Sequence, residues 1–450
     1  MPNWVRRRTK AAVQRWTERW SLRLYGVLTR ALQAWLPRRL ARRARQEPLY
    51  AQDMAQRWGD YRGVRAQPGA VWVHAVSLGE TRALALWLPA LRQAWPGVRV
   101  LLTHTTATGR EAGRALLQDG DQQVWLPWDS PSATRAFVAH FQPLMGVLME
   151  TEVWPQLVQA CGQARVPLLL VNARLNPRSL ARAQRLAWLS RPAYAGLAQV
   201  LAQTEADAQR LRALGASPVD VVGNLKYEVQ VPAATRALAT AWPLAASRRP
   251  VWLLASSREG EEAMWLQAWQ AACAAQPGLA QQVLWLVVPR HPQRFDEVAG
   301  LLQSAGLRVG RRSAWTAEAG QDVSGLDVVL GDSLGEMAAY ALASELALLG
   351  GSFAPLGGQN LIEALACACP VIMGPHTFNF AQASEDALAA GLAARVPDMA
   401  AAIAQAQQWQ ADESGLTARQ QQAAPWVASH AGAADRTVAA VLAWRGRLSA

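Results

Sequence analysis

Cysteine is scarce in this 450-residue chain, and the common catalytic signatures are missing. Its four cysteines, Cys161, Cys273, Cys367 and Cys369, show neither CxxC nor Cys/His spacing, which argues for buried, reduced thiols of a cytosolic protein over disulfides or a thiolate metal site. No GxGxxG with a following acid opens either half, and Walker A, GxSxG and metal-type His clusters are absent as well. Dinucleotide redox chemistry, P-loop phosphoryl transfer and serine hydrolysis are thereby set aside. No apolar run reaches the ~20 residues of a spanning helix, and no uninterrupted apolar segment with an A-x-A site reads as a secretory signal. Charged residues make up only 17% against 51% hydrophobic, the balance of a globular body, and the length calls for two domains.

The scarce charge is unevenly placed. Residues 1–65 hold 16 Arg/Lys against 4 Asp/Glu, which accounts for the whole formal charge of +12; the remainder carries 29 of each sign. From Ala11 to Arg45 the pattern is helical, with Leu24, Val27, Leu28, Leu32, Trp35 and Leu36 at spacings of three and four and arginines between and after them. Such a helix lies in the headgroup layer, held by Trp and Leu burial and by attraction to anionic lipid. Nucleic acid would also match the arginines, but no recognition motif follows and the apolar face would stay exposed, so no nucleic-acid partner is expected.

Behind the arm, short apolar strands alternate with amphipathic helices. Strands are expected at Val71–Val76, Val98–Thr103, Gln123–Leu126, Leu144–Met149, Leu168–Asn172, Gln199–Ala202 and Val219–Val222, and then at Val251–Ala255, Val283–Val288, Leu326–Leu330, Leu346–Leu349, Pro370–Met373 and Ala393–Val396. This βα alternation implies parallel sheets buried on both faces. The expected layout is an arm over 1–47, a first Rossmann-like domain over 48–228, a proline-bearing linker over 229–250, a second Rossmann-like domain over 251–423, and a terminal helical stretch, 424–450, packing back. Two doubly wound α/β domains would face a cleft, with strand ends aimed at one site.

The densest signal is Gly350 to Phe380, GGSFAPLGGQNLIEALACACPVIMGPHTFNF. A buried strand ends in glycines, and Gly357-Gly358 leads into a helix opening near Gln359–Asn360 with Glu363 one turn in. Glycine permits close backbone approach to a ligand, a helix N-terminus presents free N–H groups, and Glu363 can accept from sugar hydroxyls. That is the build of a nucleotide-sugar site, so glycosyl transfer leads.

Other strand ends carry supporting groups. His74-Ala-Val-Ser77-Leu-Gly79-Glu80 turns into a helix and places Glu80 where a general base or a helix-capping acid would sit. Met149-Glu150-Thr-Glu152 sets two carboxylates two residues apart; a Mg²⁺ pair is weighed against acceptor contacts or structure, and metal is disfavoured because Glu-x-Glu is a loose pattern. Arg174 and Lys226 add cations to the same rim. In the second half, Ser257-Arg258 at a strand-to-helix turn and Arg290-His291 between two prolines offer anion partners, and Gly335-Glu336 ends a third strand–loop–helix junction expected to aim into the same cleft.

Together HAVSLGE (74–80), METEVWP (149–155), NARL (172–175), GNLKYE (223–228), PRHPQRF (289–295), GDSLGE (331–336), the 350–380 segment and RWGDYRG (57–63) resemble the bacterial 3-deoxy-D-manno-octulosonic acid (Kdo) transferases of lipopolysaccharide assembly. The resemblance implies a GT-B fold and an inverting, metal-independent reaction without cofactor. It further implies CMP-Kdo as donor, a lipid A precursor (lipid IVA) as acceptor, and a place on the cytoplasmic face of the inner membrane. It makes Glu80 the general base. Arg290, His291, Gly357, Gly358, Asn360 and Glu363 fall on the donor side, with Glu363 at the ribose. Ser257, Arg258, Gly335 and Glu336 are grouped with the donor, and Ser77, Gly79, Glu150, Glu152, Arg174 and Lys226 with the acceptor. Gln359 stands where the family often has His, Arg258 replaces a frequent His, and Asn176-Pro177 replaces smaller residues at the acceptor rim. The rivals are a GT-B enzyme using a UDP-sugar with a membrane lipid acceptor, and a non-catalytic basic membrane adaptor.

Overall fold

The computed structural model describes residues 22–30, 36–45, 47–315 and 322–449. The chain divides into two compact units, Met1–Glu228 with Ala431–Ala450, and Val229–His430. The first unit holds strands β1 Val71–His74, β2 Val100–His104, β3 Gln122–Trp125, β4 Met145–Met149, β5 Leu168–Ala173, β6 Gln199–Ala202 and β7 Val219–Val221. The second holds β8 Val251–Ser257, β9 Leu284–Pro289, β10 Val309–Arg311, β11 Val328–Leu330, β12 Leu346–Leu349, β13 Val371–Met373 and β14 Ala393–Arg395. All pairings are parallel, in the orders β3-β2-β1-β4-β5-β6-β7 and β10-β11-β9-β8-β12-β13-β14.

The apolar runs form strands because each sheet is covered on both faces, so alternation is not needed and every side chain of β1, β4 and β12 is buried. The strand that the sequence reading missed is β10. Its three residues, Val-Gly-Arg, lie at a sheet edge and carry one large apolar side chain, too little for an apolar run to register. The second core is closed by Trp252, Trp265, Trp269 and Trp285, packed edge to face; the Trp252 and Trp285 ring centres are 5.5 Å apart.

Strand order reverses between β1 and β4 in the first sheet and between β8 and β12 in the second. In open parallel sheets the crevice at the carboxyl ends beside such a reversal is where ligands bind. Glu80 follows β1 and Glu150 follows β4; Arg258 follows β8 and Gly350 follows β12. The recognised motifs thus flank both reversals.

The terminal helix Ala433–Ser449 packs on the first unit through Ala433, Ala434, Val438 and Val441, and the Ala434 N–H donates to Glu228 at 3.1 Å. The preceding helix, Glu413–Ser429, belongs to the second unit, so the chain crosses back after His430 rather than at 424. Of the arm, residues 22–30 are helical and the helix Leu36–Ala44 follows; the rest of the helix read over 11–45 lies outside the described residues. Leu24, Val27 and Leu28 are exposed, as are Arg38, Arg39, Arg42 and Arg43, while Leu40 is buried against Tyr50 and Ala107. Among the described residues no helix is long and apolar enough to cross a membrane.

Candidate active site

In the first unit, Glu80 lies in the first turn of the helix Leu78–Ala94, which starts directly after the β1 turn at Ser77. Glu80 Oε2 accepts the Val76 N–H at 2.7 Å, and Oε1 takes only a long bond, 3.4 Å, from Ser77 Oγ. Burial pushes its pKa up to about 8, with Glu152 and Glu150 adding to the rise and the Val76 N–H opposing it. The turn carrying Glu80 is held from β2: His104 Nδ1 donates to the Ala75 carbonyl at 2.7 Å, and Thr106 Oγ1 donates to the Val76 carbonyl at 2.8 Å. Neither residue was singled out from sequence, because each signals only through the strand beside it.

Glu150 is buried at positive φ (+55°) just past β4 and accepts Arg174 Nε at 2.6 Å. Glu152 accepts the Trp154 indole N–H at 2.8 Å; burial raises its pKa, and the neighbouring Glu150 charge adds to this. Burial lowers the Lys226 pKa, with Glu150 opposing and Arg174 assisting. Lys226 stands on a short turn whose Leu225 N–H donates to the buried Asn172 Oδ1 at 3.1 Å. Glu80, Glu150, Glu152, Arg174 and Lys226 therefore form one electrostatically linked rim, with Ser77 and Gly79 at the Glu80 turn. The rim combines an acid of raised pKa with cations, which suits proton abstraction beside a polar acceptor.

In the second unit, β8 and β12 approach so closely that a Cβ on Gly350 would lie 2.3 Å from the Ser256 carbonyl oxygen; only glycine fits there. The loop then folds back on itself, Gly358 N–H to Gly351 O at 2.7 Å and Gln359 N–H to Gly350 O at 3.0 Å. Gly357, at φ +92°, leaves no room for a Cβ against Asn379, whose amide donates to Leu356 O at 3.0 Å. This places Gly357 and Gly358 beside Phe378-Asn379. Asn360 caps the following helix, Leu361–Ala366, by accepting the Ile362 N–H at 3.2 Å, and Glu363 lies in that helix's first turn. Arg258, Arg290 and His291 gather at the ends of β8 and β9: burial lowers the His291 pKa, and the nearby Arg258 and Arg290 charges lower it further.

Three donor-side expectations meet a different environment. Ser257 is fully buried, and its hydroxyl donates to Glu262 Oε1 at 2.7 Å; Glu262 is itself paired with Arg294 at 2.8 and 3.0 Å. Its side chain serves the interior because β8 is irregular between Ala255 and Ser257, with Ser256 at φ +54°, which turns Ser257 inward. Glu336 accepts Arg312 at 2.9 Å and the Ser333 hydroxyl. Gly335 and Glu336 follow β11, two strands from β8, and so lie away from the reversal.

The residue that organises these second-unit loops is Glu261. Fully buried, it accepts four backbone N–H groups: Arg258 at 2.9 Å and Gly351 at 2.6 Å on Oε2, Phe353 at 3.1 Å and Ala354 at 3.2 Å on Oε1. It ties the Arg258 turn to the glycine loop. In the sequence it looks like any acid in a helix's first turn.

Comparison with known proteins identifies the family. The family model for 3-deoxy-D-manno-octulosonic-acid transferase (kdotransferase) matches residues 52–229. The 3-deoxy-D-manno-octulosonic acid transferase of Bordetella pertussis is 48% identical over 94% of this chain and 99% of its own length. That of Haemophilus influenzae is 34% identical, covering 74% and 78%. Among solved structures, the UDP-GlcNAc 2-epimerase of Neisseria meningitidis bound to UDP-GlcNAc shares the fold at 15% identity, with a TM-score of 0.51 over 83% of this chain and 99% of that one. The architecture is thus α/β of GT-B type, and by the extent and identity of the Bordetella match this chain belongs to the 3-deoxy-D-manno-octulosonic acid (Kdo) transferase family.

Proposed function

We propose that the chain moves Kdo from CMP-Kdo to a lipid A precursor, lipid IVA, with inversion and without a metal ion. The observation that carries this reading is Glu80, a carboxyl of raised pKa fixed at the β1–β4 reversal of a Kdo transferase. Glu80 takes the proton of the acceptor's primary hydroxyl. That oxygen bonds to the Kdo anomeric carbon as the bond from this carbon to the CMP phosphate oxygen breaks, a single displacement that inverts the centre. Arg258, Arg290 and the glycine-loop backbone receive the charge left on CMP. Metal independence is supported by the engagement of Glu150 with Arg174 and of Glu152 with Trp154, which leaves the Glu-x-Glu pair occupied by protein partners.

The exposed Leu24, Val27 and Leu28, with the arginines of Leu36–Ala44, support an arm lying on anionic lipid at the cytoplasmic face of the inner membrane. The test is mass spectrometry of a reaction holding purified protein, Kdo-free lipid A precursor and CMP-Kdo made in situ, quenched of free metal by EDTA after the donor has formed. A product heavier by one or more Kdo units is expected. Product only with Mg²⁺ restored would overturn the metal-free reading. Product only from UDP-sugars, with UDP and not CMP competing, would overturn the donor assignment.

A further inference from the structure

Between Val153 and Thr204 the sequence contains no Asp or Glu, yet it carries Arg165, Arg174, Arg178, Arg182, Arg185 and Arg191. The neutrality of the body outside the arm therefore conceals a second basic region. Its centre is a pair of helices, Pro177–Arg185 and Ala187–Ala195. Asn176 caps the first by accepting the Ser179 N–H at 2.8 Å, and Ser190 Oγ donates to the Ala183 carbonyl at 2.8 Å, joining the two. Leu180 and Ala183 pack on the core. Arg178, Arg182 and Arg185, at i, i+4 and i+7, form one outward stripe, all exposed.

Among the described residues none of Arg178, Arg182, Arg185 and Arg191 forms an ion pair. The next helix, Glu205–Ala213, shows the ordinary alternative: Arg210 pairs with Asp207 and Arg212 with Glu205. A solvated helix normally mixes signs in that way. Here one sign stands alone, and the same helix pair exposes large apolar side chains: Leu186 at 47% and Trp188 at 42%. Arginine with exposed Trp and Leu is the composition of a surface that sits at a lipid–water boundary, where the rings enter the headgroup layer and the cations meet phosphate.

We propose that the face formed by Pro177–Ala195 is a second contact with an anionic bilayer, separate from the arm. It deepens the membrane reading given above but rests on different residues. The segment follows Arg174, the partner of Glu150, by three residues, so bilayer contact here brings lipid headgroups to the rim that carries Glu80, and the arm alone would only tether the chain nearby. Nucleic acid is the other polyanion, and it is disfavoured because Leu186 and Trp188 would gain nothing from it.

The test uses the full chain with Cys273 replaced by Ala and a single environment-sensitive fluorophore at Leu186→Cys or, in a parallel sample, at Leu28→Cys. Vesicles of phosphatidylglycerol with phosphatidylethanolamine are compared with vesicles of phosphatidylcholine alone and with a single-stranded oligonucleotide. A blue shift at both positions with the anionic vesicles is expected, and Arg178→Gln, Arg182→Gln and Arg185→Gln together should weaken vesicle binding by more than about tenfold. A shift at position 28 but none at 186 overturns the second contact and leaves the arm reading standing. No shift at either position overturns both. A response at 186 to the oligonucleotide and not to vesicles overturns the lipid assignment.

Discussion

The two units use the same raw material, acidic side chains at strand-end turns, to opposite ends. In the first unit Glu80 stays on the rim and is held loosely, by one short bond and one long one, and burial raises its pKa to about 8. In the second unit Glu261 and Glu262 are fully engaged inside the fold, one by four backbone N–H groups, the other by Arg294 and Ser257. A carboxylate that accepts four hydrogen bonds has no capacity left for a proton or a ligand. An acid at a strand end is therefore a candidate base only where its lone pairs are not already spent.

The sharpest way to break this contrast is to remove the rim acid. Glu80→Gln keeps the shape and an acceptor for the Val76 N–H but cannot take a proton, so kcat should fall about 10²- to 10⁴-fold with CMP binding intact. In the wild type, kcat/KM should rise with pH on a limb centred near 8, since the base works only when ionised and its pKa lies at about 8. Turnover within a few-fold of wild type would mean that Glu80 only caps its helix.

A smaller effect is expected on the donor side. Glu261→Gln turns an NH₂ toward backbone donors, leaving two of the four N–H groups facing another donor. The loss should be about 2–3 kcal/mol of stability in the second unit. The telling measurement is the KM split well below the melting temperature: KM for CMP-Kdo should rise about tenfold while KM for the acceptor holds. If both stay unchanged, Glu261 scaffolds the interior without setting the glycine loop.

This contrast also marks how far the sequence could be read. Strands such as Met145–Met149 and Leu346–Leu349 were legible because a sheet covered on both faces demands an unbroken apolar run. The place of Glu80 in a helix's first turn was legible because the apolar run of β1 ends at His74 and Ser77 turns the chain into the next helix. The inward turn of Ser257 was not legible: it follows from the irregularity around Ser256, and a serine facing inward is spelled like one facing out. Glu261 was silent because its four partners lie up to 93 residues away, and nothing in its neighbours' identity records that they converge. His104 and Thr106 were silent for the same reason, since they act through the carbonyls of the adjacent turn.

The smallest effect concerns stability rather than rate, and it tests whether the Glu80 carboxyl is as loosely satisfied as its geometry indicates. Its folded pKa, about 8, lies above the ordinary glutamate value of 4.5 that it regains on unfolding. Between those values the unfolded chain has released the proton while the folded chain still holds it, so raising the pH through this window destabilises the fold, and the cost is complete above 8. Glu80→Gln has no proton to lose. The variant should match wild type near pH 5 and become more stable as the pH rises, by on the order of 1 kcal/mol at pH 9, less than the full linkage value because the rim stays in contact with water. Urea denaturation of both proteins at the two pH values measures it. A difference that stays flat with pH would place Glu80 with the well-satisfied acids of the second unit and remove the electrostatic reason for treating it as the base.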